Sequence, residues 1–230
     1  MTRLSIIIPV LNEAEIISEL LDHLLNNSTK KNIADIIVVD GGSNDGTQNI
    51  VSKFEEVTLV NSEKGRAKQM NTGSALTTGD ILYFLHADSF PPKHFDQLIL
   101  NEVEKGNLAG CFKMKFDHKH WWLKLAGWLT KFSWKACRGG DQSQFITKEL
   151  FKELKGFDES YSIYEDYDLI NKLYSRHQFI VIQEWLITSA RRYQTNGIWK
   201  LQFHFWAIYV KKFFGASPKN LHQYYLKYIH

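Results

Sequence analysis

Four short apolar runs, separated by segments of helical period, fill the first ninety residues of this chain. Leu4 to Pro9, Ala34 to Asp40 (ADIIVVD), Glu56 to Asn61 and Ile81 to His86 read as strands. Between the first two, Glu13 to Asn26 carries Ile16, Ile17, Leu20, Leu21, Leu24 and Leu25 at helical spacing. Asn44 to Phe54, with Asp45 or Asn44 as its cap, and Ala67 to Leu76 read as two further helices. Strands that alternate with helices predict an α/β fold whose largely parallel sheet is covered on both faces. In such a sheet ligands bind outside the carboxyl ends of the strands, so the residues after each strand are where chemistry is expected.

The second half is less regular. Lys93–Lys105, Trp121–Lys135, Lys148–Leu154, Asp166–Ser175 and Ile198–Phe214 are expected as helices, and Leu108–Phe116 and Phe179–Ile182 as strands. Across the 230 residues there is no Pro/Gly/Ser-rich linker, repeat or low-complexity segment, and a hydrophobic fraction of 44% suits a sizeable core. The net charge of +3 is too small to argue for a nucleic-acid partner. Cys111 and Cys137 fit no metal-ligand spacing and read as two free thiols of a reducing compartment. The opening MTRLSIIIPVLNEAE is too short in apolar length, and too soon acidic, for a signal peptide, and no apolar run reaches the ~20 residues that cross a bilayer. An intracellular, cytoplasmic protein is expected.

After the first strand comes Pro9-Val10-Leu11-Asn12-Glu13, and after the second Asp40-Gly41-Gly42-Ser43-Asn44-Asp45-Gly46-Thr47. Slightly beyond the third comes Lys64-Gly65-Arg66-Ala67-Lys68-Gln69-Met70-Asn71, and after the fourth His86-Ala87-Asp88. The glycines form neither GxGxxG nor a P-loop, which argues against a dinucleotide dehydrogenase and a P-loop ATPase. DGGSNDG is equally a tight turn with a helix cap or a place where backbone approaches a ligand. KGRAKQMN sets cations at a helix start, which suits either a phosphate or solvent. Side chains at i and i+2 of a strand share a face, so His86 and Asp88 are expected to look into the same space.

In combination and in this order, IIIPVLNE, VVDGGSNDGT, KGRAKQMNTG, DILYFLHAD, GGDQSQFI, KGFDE, YEDYDL and TSARRYQTNGI resemble family 2 glycosyltransferases of the GT-A fold, most closely small stand-alone members without transmembrane segments. The resemblance spans roughly Leu4 to Ser217. It implies a Rossmann-like α/β/α sandwich with a mostly parallel sheet and a C-terminal helical appendage. The implied division is a transferase domain over 1–195 (a nucleotide-sugar half, 1–90, and an acceptor and catalytic half, 91–195) and an aromatic helical segment over 196–230.

The same resemblance implies site roles. Pro9, Leu11, Asn12 and Glu13 would line a nucleoside pocket, and Asp40 would read the base, usually uracil. Gly42, Ser43 and Asp45 would shape the adjoining loop, Gly65, Arg66, Gln69 and Asn71 would lie near ribose and diphosphate, and Ala87 would complete the nucleotide site. Asp88 would bind a divalent metal, Mn²⁺ or Mg²⁺. Relatives commonly carry Asp-x-Asp where this chain has His-x-Asp, so His86 is either a softer ligand favouring Mn²⁺ or a packed bystander. Gly140, Asp141, Gln142 and Glu165 would face the donor sugar or acceptor, and Arg191 and Arg192 the diphosphate. Asp166 would be the general base of an inverting transfer from a nucleoside diphosphate sugar, of hexosyl or N-acetylhexosaminyl type, with Glu165 and Asp168 as alternatives. Its pKa need not rise greatly if the proton moves late.

On a helix, Ile198–Phe214 (IWKLQFHFWAIYVKKFF) is polar only along a narrow face with Lys200, His204 and Lys211. So wide an apolar arc must be covered by the chain's own core, by a second copy, or by the inner face of a membrane. The acceptor is not readable from the sequence. Two alternatives stand beside the transferase: a non-catalytic nucleotide-sugar binder, favoured by His86, and a sugar nucleotidyltransferase, disfavoured by PVLNEAE where a Gly-rich basic loop is required.

Overall fold

β1 (Leu4–Val10) is buried at all seven positions and forms the axis of the sheet. The computed structural model describes residues 2–229. After β1 come α1 (Ile17–Asn27), β2 (Ile33–Asp40), α2 (Thr47–Val51), β3 (Val57–Asn61), α3 (Arg66–Ala75) and β4 (Ile81–Phe84). The chain continues through β5 (Ser89–Phe90), α4 (Phe95–Glu104), β6 (Ala109–Phe116), α5 (Trp121–Leu129), β7 (Gln144–Thr147), α6 (Lys148–Glu153), α7 (Glu165–Ser175) and β8 (Ile180–Thr188). It closes with α8 (Arg191–Asn196), α9 (Ile198–Phe213) and α10 (Pro218–Tyr228).

The eight strands form one sheet in the order β3-β2-β1-β4-β7-β6-β8-β5. Pairs β3-β2, β2-β1, β1-β4 and β6-β8 are parallel, while β4-β7, β7-β6 and β8-β5 are antiparallel. The sheet is therefore mixed, with parallel pairing dominating its N-terminal half. From β1 the chain moves outward to β3 and then returns to the other side of β1 as β4. That reversal opens a crevice beyond the carboxyl ends of β1 and β4, the switch point where α/β sheets bind ligands.

The alternation of β1 explains the layering. Ile6 and Ile8 pack with Leu20, Leu24, Phe95 and Ile99 of α1 and α4. Ile7 points to the opposite face, among Met70, Phe151, Leu169 and Leu173 of α3, α6 and α7. A third cluster, including Leu201, Ile208 and Leu221, ties α9 and α10 to Tyr161 and Ile163.

Several boundaries differ from expectation. β4 stops at Phe84, so His86 and Asp88 lie in a turn, closed by the Ser89 amide donating to the His86 carbonyl (3.1 Å). The strand argument for their common face does not apply. α1 begins at Ile17 because Glu13 to Ile16 form a separate turn, and α5 stops at Leu129. There the Thr130 hydroxyl donates to the Gly127 carbonyl (2.6 Å) and accepts the Met114 amide (2.9 Å), fixing the end of α5 against β6. β5, β7, α8 and α10 were not anticipated, although Ser217-Pro218 is an N-cap with Pro at the first helical position. Cys111 and Cys137 are both free. Among the described residues no helix is long and apolar enough to cross a membrane.

Candidate active site

The loops after β1 and β2 are stitched to each other. The amides of Asn12, Glu13 and Ala14 donate to Ser43 Oγ (2.8 Å), Thr47 Oγ1 (2.9 Å) and Asp45 Oδ2 (2.9 Å). In return the Asn44 amide donates to Asn12 Oδ1 (2.9 Å), with Asn12 held at φ 56°. Asn tolerates that left-handed backbone better than most residues. These bonds account for the motif residues Asn12, Ser43 and Asp45 as the framework of the pocket wall.

Asp40 ends β2 with no exposed surface. Its Oδ2 accepts the amides of Gly42 and Ser43 and the Gln48 side chain, at 2.9, 2.9 and 2.7 Å. Burial opposes its charge, but those hydrogen bonds outweigh burial and hold the carboxyl below its ordinary value. Oδ1, equally buried, has no partner. An orphaned buried acceptor is costly unless something donates to it, and a ring N–H of a base is such a donor. Above it Gly42 adopts φ 97°, with nothing within 4 Å of where a Cβ would stand.

Other motif residues serve the scaffold. Gln69 is buried and donates to the Val10 and Val39 carbonyls (2.8 Å each), clamping β1 to β2 just below the crevice. Asn71 faces away, bonded to Phe157 and Glu159. Pro9 is buried within β1, Leu11 is half-buried beyond it, and Ala87 joins the core. Gly65 precedes α3 at φ 139°.

The charged residues converge on the crevice. Arg66, first residue of α3, sets Nε 3.3 Å from Glu165 Oε1 and Nη1 3.8 Å from Asp166 Oδ2. Asp166 Oδ2 lies 3.9 Å from His86 Nε2, and His86 Nδ1 lies 3.7 Å from Asp141 Oδ1. Asp166 therefore sits between a guanidinium and an imidazole, while the exposed Asp141 guards the outer side. Burial, followed by the Glu165 charge, pushes Asp166 up to about 7, although Arg66 pulls the other way. That exceeds what the sequence required of it, because Glu165 is itself buried and neither of its oxygens has a hydrogen bond. Burial and the nearby Arg66 charge lower His86 to about 4, so its ring is neutral at pH 7. Tyr164, directly before α7, is held at φ 79°, a strained conformation for so bulky a residue.

On the other side of the crevice, burial and then the charges of Asp141 and Glu13 push Asp88 up to about 6. A buried carboxylate whose charge is opposed by neighbouring acidic groups is a donor that a divalent cation relieves. Among the described residues no three His, Cys, Asp or Glu side chains stand close enough to hold an ion alone. Phosphate oxygens and waters must complete any coordination sphere, as is usual for Mg²⁺. The residues fit a metal on those terms.

Arg191 and Arg192 separate. Arg191 Nη2 pairs with Glu13 Oε2 (3.0 Å) at the crevice, while Arg192 bonds the Tyr225 hydroxyl and lies over the Phe205 and Tyr225 rings. Gly140, Asp141 and Gln142 form a single 3₁₀ turn, in which Gln142 Oε1 accepts the Gly139 amide (3.2 Å). Beside Asp166 opens a cavity of about 570 Å³. Its walls include Asp141, Glu165, Tyr164 and Tyr167, closed by Phe205, Trp206 and Tyr209 of α9. Sequence reading did not place these aromatic residues at the site. In the sequence they belong to the apolar arc of α9, and no motif marks which of them line the cavity.

The family profile described as "Glycosyl transferase family 2" matches residues 5–149. The chain belongs to glycosyltransferase family 2. The probable glycosyltransferase YdaM of Bacillus subtilis is 26% identical over 230 residues, covering 89% of this chain and 54% of YdaM. Glycosyltransferase AglE of Haloferax volcanii is 37% identical over 93 residues, covering 38% of this chain and 31% of AglE. The chain thus spans about half the length of YdaM, and its match to AglE covers about a third of that protein. Among solved structures, the mannosyltransferase PcManGT of Pyrobaculum calidifontis, in complex with GDP-Man and Mn²⁺, superposes with a TM-score of 0.67 at 19% identity. That match covers 98% of this chain and 70% of PcManGT. Residues 1–349 of S. aureus TarS in complex with UDP give 0.65 at 18%, covering 82% of this chain and 60% of that one. At these identities the likeness establishes the GT-A-type fold. The helices on both faces and at the C-terminus fit the fold expected above, while the sheet is mixed where a mostly parallel one was expected.

Proposed function

We propose that the chain is the catalytic module of an inverting glycosyltransferase that uses a nucleoside diphosphate sugar, with UDP-sugars favoured, and a divalent metal. Residues 1–195 act as the transferase domain and 196–230 as its helical appendage. The observation that carries this reading is Asp166, half-buried at the start of α7 beside the buried Glu165, raised to about 7 and opening onto the cavity. A base works best when its pKa lies near the working pH.

In this account Asp40 Oδ1 accepts a ring N–H of the base, and the stitched loops of residues 11–16 and 41–46 hold the nucleoside. Arg191 and Arg192, once exchanged from Glu13 and Tyr225, face the diphosphate. Asp88, with His86 or Asp141, would hold the metal, whose chemistry when bound is to neutralise charge on the diphosphate. Asp166 takes the proton of the acceptor hydroxyl as that oxygen forms its bond to the anomeric carbon. The bond from that carbon to the diphosphate oxygen breaks, the nucleoside diphosphate leaves with the electron pair, and the configuration inverts. Glu165 and Arg66 fix the carboxylate's position and charge. GDP-Man and UDP in the two structural neighbours support a nucleotide donor without selecting one.

His86, in place of an acidic residue, favours the second reading, a nucleotide-sugar binder without turnover. Nucleoside diphosphate release from a panel of nucleotide sugars, with Mn²⁺ and after chelation, separates the two. Release that chelation abolishes is expected. Donor-dependent thermal stabilisation without release on any acceptor favours the binder.

A further inference from the structure

Two segments distant in sequence share a surface and a composition. Residues 118–140 and 185–230 together hold 12 of the chain's 28 Lys and Arg and none of its 25 Asp and Glu. That leaves 16 cations against 25 acids elsewhere, so the small net charge conceals a strong asymmetry. The fold joins the segments. Trp121 and Trp122 of α5 meet Trp199 of α9 with ring centroids 5.8 and 5.4 Å apart, and Trp122 Nε1 donates to Gln202 Oε1 (3.1 Å).

The core takes only part of α9, chiefly Leu201 and Ile208. The rest of the joined face is exposed: Trp121 60%, Trp199 52%, Phe203 62% and Phe213 86%. A continuous apolar face of this kind marks an interaction site rather than ordinary surface. Exposed Lys124, Lys200, Lys211 and Lys219 belong to the same two segments. Trp206 and Tyr209 are both exposed and line the cavity, so its mouth opens on this face. Trp and Tyr suit a boundary that is apolar on one side and wet on the other, and lysines without acidic neighbours suit a negatively charged layer. A protein partner would be matched by a mixed-charge rim. The two segments that build this face carry no acidic residue to offer one.

We propose that the α5–α9 face docks on an anionic lipid surface with the cavity mouth turned towards the lipid. An acceptor anchored in that layer would then reach Asp166 through the mouth. This last consequence rests on the transferase reading; the docking itself does not.

The test is flotation of the full chain with vesicles of phosphatidylcholine alone and of phosphatidylcholine with phosphatidylglycerol, followed by tryptophan emission. Binding at least tenfold stronger to the anionic vesicles, with a blue-shifted emission, is expected. Phe213→Ser/Phe214→Ser should lower it at least tenfold, and Lys124→Glu/Lys200→Glu should remove the anionic preference. Both variants should keep the wild-type melting temperature and the thermal shift with nucleotide sugars. No flotation, equal flotation with both lipids, or unchanged flotation of both variants overturns the proposal, as does a stable dimer in solution that buries this face and ignores vesicles. Flotation lost while the donor response persists rejects the docking alone. Flotation without any donor response keeps the docking and rejects the catalytic reading.

Discussion

Arg66 Nη1 lies 3.8 Å from Asp166 Oδ2, joining the start of α3 to the start of α7 across one hundred residues of chain. The same guanidinium reaches Glu165, whose carboxylate is buried. One cation thus holds two acids, and its charge is what keeps Asp166 from rising further. Removing it must move Asp166 upward, since desolvation and the Glu165 charge then act with less opposition.

Arg66→Gln is therefore predicted to shift the rising limb of the pH dependence of kcat/KM to higher pH by about one unit. It should also destabilise the fold by about 1–3 kcal/mol, less than a fully buried pair would cost because Arg66 is partly exposed. The pH profile and the melting temperature of the variant check both. An unmoved limb would mean that another group titrates.

Asp166 itself is predicted to cost stability. Its folded pKa of about 7 stands above the ordinary 3.8, so between roughly pH 4 and 7 the folded chain binds the proton that the unfolded chain has released. The unfolded state then binds fewer protons, and this group's contribution falls as pH rises through that window. Asp166→Asn should match wild type below about pH 4 and exceed it by about 1–3 kcal/mol above pH 7.5. Denaturant melts at the two pH values measure the difference.

Asp40→Asn keeps one oxygen and places an NH₂ where a ring N–H is expected to approach. Donor affinity should fall about 10- to 100-fold, the cost of an unpaired buried donor, in titrations with UDP. Folding should suffer less, because the remaining oxygen still accepts from Gly42 and Ser43.

The register of β6 is tested by Gly110. A Cβ there would meet the Ile180 carbonyl oxygen at 2.6 Å and the Phe145 ring at 2.8 Å, and backbone cannot step aside. Gly110→Ala should destabilise by about 1–3 kcal/mol without changing donor affinity at temperatures where it remains folded.

Strand ends and loop chemistry were readable because β1 to β4 are parallel strands written as continuous apolar runs, each followed by its polar loop. What sequence could not separate was which polar motif residues serve the ligand and which the scaffold. Gln69 and Asn71 sit inside the KGRAKQMN motif, yet their amides are spent on the carbonyls of Val10, Val39 and Phe157. Short antiparallel strands such as Gln144–Thr147 lack a periodicity long enough to register. The raised Asp166 is a tertiary effect, created by burial and the Glu165 charge against the pull of Arg66, and no spacing encodes it. Nor does α9 announce that Phe205, Trp206 and Tyr209 line the cavity, because its apolar arc is too wide to show which part of it meets the domain.

The most direct test is transfer by Asp166→Asn beside wild type across pH 5.5 to 9, following nucleoside diphosphate release with the preferred donor, acceptor and Mn²⁺. Wild-type kcat/KM should rise to a plateau above about pH 7. The variant should bind donor normally and lose about 10²- to 10⁴-fold in kcat. A variant that retains wild-type kcat and the same pH limb would contradict the assignment of Asp166 as the base.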